Sequence, residues 1–233
     1  MELAPADPWV QRQSADYWVG RGDLEQALGH WSAALETDPG SRPRLFPTLM
    51  RLAEDPRTRP AFKPYAASPP SWWEGFFAEV AAGASEVETV RVLYTLRRES
   101  PRFPVTGTER RAFVERMKRS GHIAEAYVDW VSGLGGEQRR QLGFLHDGGF
   151  ELEPSNWGFD WRIRSMPQAL VDRGTTYGID GEKALHLLFR DHRGRFEGVS
   201  QFLFLDPGHY RLSGRVSTDS LESRGGIRWG VRC

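Results

Sequence analysis

The sequence predicts an α+β protein in two parts, with α-helical repeats over residues 1–142 and an incomplete antiparallel β-sandwich over residues 143–233. Two observations carry this prediction. In the first part apolar residues recur every three to four positions, which is the spacing of amphipathic helices. In the second part they recur at every second position, as in half-buried antiparallel strands. Gly135, Gly136 and Gly143 mark the change of rhythm.

Length and charge exclude several classes of protein. The 233 residues have room for one large domain or two small ones, and 39% of them are hydrophobic. The 31 basic residues balance the 31 acidic ones, so no overall field attracts nucleic acid or an anionic membrane surface. No stretch approaches the roughly 18 apolar residues of a transmembrane helix. We therefore expect neither a nucleic-acid partner nor a membrane span.

The compartment is left open by the sequence. Cys233 has no second cysteine with which to form an internal disulfide, and residues 1–9 lack the basic-then-apolar layout of a signal peptide. A longer parent protein that is exported would place the chain in the cell envelope or periplasm. Otherwise we expect it in the cytoplasm.

The first part of the chain is self-similar. Four residue types recur at the same offsets in two stretches that lie 99 residues apart. They are Gly22, Ala27, Trp31 and Leu35 in the first stretch and Gly121, Ala126, Trp130 and Leu134 in the second. The separation is close to three units of about 33–34 residues, which predicts a helical repeat array.

Residues 11–39 resemble the tetratricopeptide repeat family. Small residues let two helices approach closely, and tryptophans fill the space between pairs. These positions are Ala15, Trp18, Gly22, Ala27, Trp31, Ala34 and the closing Pro39. Gln11 and Ser14 stand where the family has Trp and Leu, so this copy is degenerate. The resemblance implies a concave groove that binds a protein or peptide partner.

Two further helical units are expected before residue 99. Residues 45–53 fit one helix, but prolines at 56, 60, 64, 69 and 70 predict a loop after it. A helix pair then covers residues 71–98. Ser71 can cap its first helix, and Ser85 with Glu88 forms a capping-box pattern before its second.

Strand periodicity marks several segments of the second part. Residues 159–163, 210–216 and 227–231 alternate apolar with polar side chains, whereas residues 184–189 and 199–205 are apolar on both faces. The sequence Asp-Pro-Gly-His at 206–209 is a turn signal, so residues 199–205 and 210–217 are predicted to form a hairpin.

Residues 147–233 resemble carbohydrate-binding jelly-roll modules of the galactose-binding-like type. The resemblance lies in strand starts and turns at 147–151, 158–161, 181–185, Gln201 and 207–214. It implies glycan binding on a concave face or at a loop rim. The whole arrangement is similar to bacterial repeat proteins associated with the cell envelope or with exopolysaccharide production.

The predicted sandwich is short of strands. About six are predicted, whereas a jelly roll has about eight. The last, at 227–232, has no later strand to cover its edge. We therefore expect either a truncated chain or strands supplied by another molecule, with an exposed or intermolecularly paired edge near residues 226–233.

Six arginines fall opposite the apolar face of the predicted strands. They are Arg162, Arg164, Arg211, Arg215, Arg228 and Arg232. On one shared sheet they would form a patch able to bind the carboxylates or phosphates of an acidic polysaccharide. The alternative is a solvated face on which nearby acids pair with them.

Other residues could contact a sugar or a metal ion. Trp157 and Tyr177 lie beside glycines in turn-like stretches, and we expect them to be exposed for stacking on sugar rings. Gln201 could bond a sugar hydroxyl or satisfy a partner inside the sandwich. Trp161, Tyr210 and Trp229 are expected in the core. No cofactor is predicted, although Asp147 and Glu151 could ligate a structural calcium.

No enzymatic motif is present. The sequence lacks a phosphate-binding glycine loop, a nucleophile elbow, an HExxH pair and paired cysteines. Three hypotheses follow: a non-catalytic scaffold that binds protein through its helices and glycan through its sandwich, an adaptor that binds only proteins, and a glycan-active enzyme. Exposed aromatics and arginines favour the first, a flat apolar face the second, and two carboxylates across a cleft the third.

Overall fold

A computed structural model describes most of the chain. The described residues are 7–100, 102–164, 166–167, 169–190, 196–221 and 226–232. Nine α-helices and four short strands lie within them. The structure thus confirms the coarse prediction of helices together with antiparallel strands.

The helices occupy the first part of the chain. They are α1 Pro8–Gly20, α2 Leu24–Thr37, α3 Arg42–Glu54, α4 Lys63–Ala67, α5 Trp73–Gly83, α6 Val87–Arg98, α7 Gly107–Arg119, α8 Ile123–Ser132 and α9 Gly136–Arg140. Short 3₁₀ turns at Pro39–Ser41 and Arg59–Phe62 precede α3 and α4. None of the described helices is long and apolar enough to cross a membrane.

The helices pack as a two-row stack. Sequential neighbours contact each other in the pairs α1–α2, α5–α6 and α7–α8. Alternate helices also touch, because α5 lies between α3 and α7 in one row while α4 and α6 pack together in the other. α2 joins this arrangement through the Pro39–Ser41 and Arg59–Phe62 turns, which it contacts.

The two self-similar stretches adopt the same local structure. Gly22 and Gly121 have φ angles of 76° and 82°, a region that glycine enters without a steric penalty. The residue after each glycine donates its backbone N–H to a helix carbonyl five positions earlier, Trp18 or Met117. Both turns are Schellman motifs, which satisfy the last carbonyls of α1 and α7.

The proline-rich stretch after α3 differs from the predicted loop. Pro60 and Pro64 are the second residues of the Arg59–Phe62 turn and of α4, where the backbone N–H has no partner within the helix and its absence costs little. Phe62 and Ala66 from these elements are fully buried. The short helices are therefore part of the core.

The serines expected to cap α5 and α6 do not do so. Neither helix receives a hydrogen bond from a capping side chain. Ser71 instead donates its N–H and its hydroxyl to Glu36 of α2, and Ser85 does the same to Glu54 of α3. A carboxylate from the preceding unit of the stack thus takes the place of a local cap.

The strands form two small antiparallel sheets within the described residues. β1 Arg162–Ile163 pairs with β4 Val199–Ser200, and β2 Ala169–Thr175 pairs with β3 Lys183–Phe189. β3 was predicted from sequence, but β2 was not. Its Asp172 and Gly174 are poor strand formers, and pairing with β3 overrides that preference.

The predicted hairpin of residues 199–205 with 210–217 is wrong, and so is the strand at 227–232. In the described structure only Val199 and Ser200 of these segments are in a strand. Tyr210 and Trp229, which we expected in the core, are 48% and 58% exposed. A strand needs a neighbour for its backbone hydrogen bonds, and no described residue forms a backbone-to-backbone hydrogen bond with residues 201–217 or 227–232.

The change of rhythm has a structural counterpart. The last described helix ends at Arg140 and the first strand begins at Arg162. The residues between them pack against α7 and α8, and Phe159 belongs to the same apolar cluster as the helices. The domain boundary between residues 142 and 143 stays a prediction.

Candidate functional site

The most distinctive polar arrangement lies where α7 and α8 meet residues 141–163, a contact that we call the seam. Lys118 of α7 donates to the carbonyl of Gly158 and lies 5.0 Å from the ring centre of Phe159. Glu115, one turn earlier, accepts the Gly158 N–H at 2.8 Å and an Arg162 N–H at 2.7 Å. These charged bonds hold the chain entering β1 against the helices.

Burial sets the charge states at the seam. Burial lowers the pKa of Lys118 to about 8, with Glu115 opposing the shift and Arg162 adding to it. Burial by itself would raise the pKa of Glu115. The hydrogen bonds from Gly158 and Arg162, together with the positive charges of Lys118 and Arg162, outweigh that effect and bring the Glu115 pKa below its ordinary value. Glu115 is therefore a stable anionic anchor.

Gly158 is required by the seam. Its φ of +64° lies in the left-handed region, and a Cβ atom there would collide with the indole of Trp130. Trp130 is 1% exposed, and its ring packs 5.6 Å from that of Phe159 and 5.1 Å from that of His146. Trp130, the repeat tryptophan of α8, thus provides the surface on which His146 and Phe159 pack, and we call this surface the Trp130 platform.

A small cleft opens on this platform, and we call it the aromatic cleft. Its lining comprises Tyr127, Trp130, Gly143, Phe144, His146, Phe159, Gln201, Phe202, Leu203 and Phe204. Its volume of about 10 Å³ is close to the minimum for one water molecule or one hydroxyl group. Anything larger must bind across its mouth.

Two buried polar atoms of the cleft residues lack a hydrogen-bond partner among the described residues. They are Nδ1 of His146 and Oε1 of Gln201. The Gln201 side chain is held in place because its Nε2 donates to the His146 carbonyl at 2.8 Å. Unpaired buried polar atoms are costly, so such atoms commonly mark a place where another group binds.

Exposed aromatic rings surround the mouth of the cleft. Phe144 is 77% exposed and contacts Tyr210 edge to face at 5.6 Å. Phe204 is 43% exposed and packs 5.2 Å from Tyr127. Exposed aromatic clusters of this kind are typical of surfaces that bind a ligand or a partner.

Two buried aspartates flank His146. Its Nε2 lies 3.9 Å from Asp160, whose carboxylate also accepts the N–H groups of Ser155 and Trp161. Burial raises the pKa of Asp147, although two backbone N–H groups oppose the shift. These contacts fold the loop that presents His146 to the cleft.

The proposed calcium ligands are occupied by backbone groups. Asp147 accepts the N–H of Glu151 and of Leu152, while the Glu151 carboxylate accepts those of Glu182 and Lys183. Within the described ranges no group of three or more His, Cys, Asp or Glu side chains could hold a metal ion. Calcium binding stays an untested prediction.

The predicted ligand residues are scattered. Gln201 lines the aromatic cleft, whereas Tyr177 is 93% exposed in the turn between β2 and β3. Trp157, expected to be exposed, is half-buried and packs against the core. Only Gln201 of these three belongs to the cleft.

The arginines do not form the single sheet face that the alternation predicted. Arg162 is the only one of the predicted binding arginines in a described strand, and it pairs with Glu115 at 2.7 Å. Arg211, Arg215 and Arg228 are exposed on segments outside the strands. Arg215 lies 3.2 Å from Asp180. The patch fails because the strands that would carry it are not paired.

Sequence reasoning missed most of the cleft. No sequence pattern selected His146, Tyr127, Phe144 or Phe204 as a ligand residue. The repeat pattern that aligns Trp130 with Trp31 was an available signal for the platform. No local pattern could indicate that residues 144–146 and 201–204 meet on it.

Comparisons with protein-family models, with curated proteins and with solved structures give no match for this chain.

Proposed function

We propose that the protein is a non-catalytic scaffold whose helical stack binds a protein partner and whose aromatic cleft binds a glycan. The observation that carries the glycan proposal is the cleft itself. It combines exposed aromatic rings with two unpaired, buried hydrogen-bonding atoms, His146 Nδ1 and Gln201 Oε1.

Sugar chemistry suits this combination. A pyranose presents an apolar C–H face that packs on aromatic rings and hydroxyl groups that donate hydrogen bonds. Phe144 and Phe204 offer rings at the mouth, and Gln201 Oε1 can accept a hydroxyl proton. The cleft volume fits one such hydroxyl, with the ring held outside.

The helical part supports the protein-binding half of the proposal. Tetratricopeptide-like arrays stack helix pairs in two rows and bind peptides along one row. Here the row of α3, α5 and α7 and the matching Schellman turns at Gly22 and Gly121 are features expected of such an array. The partner we propose is a protein or peptide of the bacterial envelope or of exopolysaccharide production.

Two arginines support an acidic polysaccharide as the ligand. Arg211 and Arg228 are exposed and form no ion pair with a described residue. Tyr210, next to Arg211, contacts Phe144 at the cleft mouth. A uronic acid bound at the cleft mouth would lie near the guanidinium group of Arg211.

A protein-only adaptor is the second candidate. The observation in its favour is the exposed apolar series Tyr210, Leu212 and Val216, which are 48%, 55% and 84% exposed. A surface of this kind suits a protein partner as well as it suits a sugar. Glycan binding separates the two candidates.

The test is a glycan array followed by calorimetry with the best neutral and uronic-acid oligosaccharides. We expect Phe144→Ala and Gln201→Ala each to weaken binding by about tenfold, which corresponds to about 1.4 kcal/mol. Trp9→Ala, an exposed aromatic on α1 that is 58% accessible, is the matched control and should bind as the wild type does. Binding that survives both cleft changes removes the proposal, and no glycan binding leaves the adaptor.

A further inference from the structure

The C-terminal segments have the pattern of strands without the partners of strands. We call residues 206–221 and 226–232 the tail. Its apolar residues alternate with polar ones and are all exposed, from 36% for Leu221 to 84% for Val216. Between described residues of 201–221 and of 227–232 no backbone-to-backbone hydrogen bond is formed. Residues 206–221 of the tail are therefore a strand-like edge whose backbone donors and acceptors are not paired with the backbone of another described residue.

The β2–β3 hairpin is open in the same way. It is a two-stranded sheet, so the outer edge of β3 has no strand beside it among the described residues. Leu170 and Leu188 lie opposite each other on its outer face and are 48% and 63% exposed. A two-stranded hairpin is marginally stable in water and gains stability from a third strand.

The charges of exposed side chains indicate whether the tail pairs with another tail or with the β2–β3 hairpin. The tail residues between the apolar ones include Arg211, Arg215 and Arg228, so pairing one tail with another would bring arginines together. The hairpin instead presents three exposed acids, Asp172 on β2 and Asp180 and Glu182 in the turn that leads into β3. One pairing of this kind exists in the structure, since Arg215 lies 3.2 Å from Asp180.

We infer that two copies of this chain associate by strand exchange, with residues 210–216 of each copy added to the outer edge of β3 in the other. The arrangement is reciprocal and uses the exchanged segment of each copy once, so it closes as a twofold dimer. The zero net charge of the chain removes long-range repulsion between the copies. Main-chain hydrogen bonds supply the affinity, and the alternate apolar residues cover Leu170 and Leu188.

Tail anchoring is compatible with this exchange. Tyr210 rests on Phe144 and Trp229 lies 5.8 Å from Trp161, so both ends of the tail remain attached to their own copy. Leu212 and Val216 between these anchors have their side chains in solvent, and the ion pair of Arg215 with Asp180 of the same copy is exposed on both sides. Residues 211–216 can therefore reach a neighbour. The inference does not depend on glycan binding.

The test is the molar mass of the whole chain, measured by light scattering over a wide range of concentrations with Cys233→Ser as the background. That change prevents an intermolecular disulfide from imitating the dimer. We expect the mass to rise from 26.5 kDa toward twice that value. Leu212→Pro removes a backbone donor and should abolish the rise, whereas Leu212→Thr keeps the donor and should retain it.

Hydrogen exchange locates the contact. Amides of residues 210–216 and 183–189 should become protected together as the concentration increases. Asp172→Arg should weaken the dimer at least fivefold and lower that protection. A single mass of 26.5 kDa at every concentration overturns the inference, as does a dimer that Leu212→Pro leaves intact. Protection of 210–216 that does not depend on concentration would show pairing within one copy and overturn it equally.

Discussion

Arg97 and Glu109 form a fully buried ion pair in the helical core. Each side chain is 1% exposed, and Arg97 Nε lies 2.7 Å from Glu109 Oε1. Arg97 also donates to the carbonyls of Phe103 and Pro104, while Glu109 accepts from Trp73 and from the N–H of Thr106. Every strong polar group of the pair thus has a partner, which is the condition for keeping charges in an apolar interior.

Removing one partner should be strongly destabilising. We expect Glu109→Ala to lower the free energy of unfolding by about 3–5 kcal/mol, because the buried Arg97 charge loses its counter-ion. The control is Glu88→Ala, which breaks the exposed pair with Arg91 and should cost at most about 1 kcal/mol. Urea unfolding measures both values. Equal losses would show that the burial of the Arg97–Glu109 pair does not matter.

At the scale of the element, contacts at helix ends and turns fix how neighbouring helices pack. Arg116 and Arg119 of α7 donate to the carbonyls of Ala84 and Ala81 at the end of α5, at 2.7 and 2.8 Å. Arg59 does the same for Ala53 at the end of α3. At the C-terminal ends of α5 and α3, a guanidinium group from another element thus binds the last carbonyls and is attracted to the partial negative charge there.

The turn at Gly158 provides a test of how the element before β1 is built. Gly158→Ala should cost about 1–2 kcal/mol for the left-handed backbone and about 1–3 kcal/mol more for displacing Trp130. Gly178→Ala is the matched control. Gly178 also has a positive φ, of 79°, but nothing lies within 4 Å of an added Cβ. Chemical unfolding should therefore separate the two variants, and tryptophan fluorescence should change only for Gly158→Ala. Equal stabilities would contradict the close contact with Trp130.

Helices were easier to predict than strands for a physical reason. The helical spacing of residues 73–80 and 90–96 predicted α5 and α6 well, because helix hydrogen bonds are local. The capping serines Ser71 and Ser85 were misjudged, since their partners Glu36 and Glu54 lie in another unit. Alternation at 210–216 predicted a strand that the structure does not contain, because a strand forms only where a second strand lies beside it.

At the scale of the whole molecule, the seam joins the helical stack to the later chain. Lys118 is its central cation, with a side chain that is 9% exposed and rings of Phe159 and Phe202 at 5.0 and 5.1 Å. Glu115 compensates its charge incompletely, which leaves the pKa of Lys118 at about 8 against 10.5 for a free lysine. The contribution of the seam to the free energy of unfolding therefore changes at alkaline pH.

The sign of this dependence follows from proton binding. Between pH 8 and pH 10.5 the unfolded chain holds a proton on Lys118 that the folded chain has released, so this group favours folding more as the pH rises. We expect the contribution to change by roughly 2–4 kcal/mol across that window, at about 1.4 kcal/mol per pKa unit. The measurement is the difference in unfolding free energy between the wild type and Lys118→Met at a series of pH values, which cancels the other groups. A difference in unfolding free energy that stays constant with pH would contradict the lowered pKa of Lys118.

The sequence by itself determined the features that depend on neighbours in the chain. The helical rhythm, the equivalence of the turns at Gly22 and Gly121, and a strand over residues 184–189 could all be predicted in this way. Gln201 as a ligand residue stays a prediction. Only the tertiary structure decided which alternating segments are paired and that Gln201, His146 and Phe144 meet on the Trp130 platform. Helix bonds and Schellman turns close within five residues. The cleft instead joins His146 to Gln201, 55 residues later, and β1 pairs with β4 across 36 to 38 residues. No local pattern specifies such a meeting.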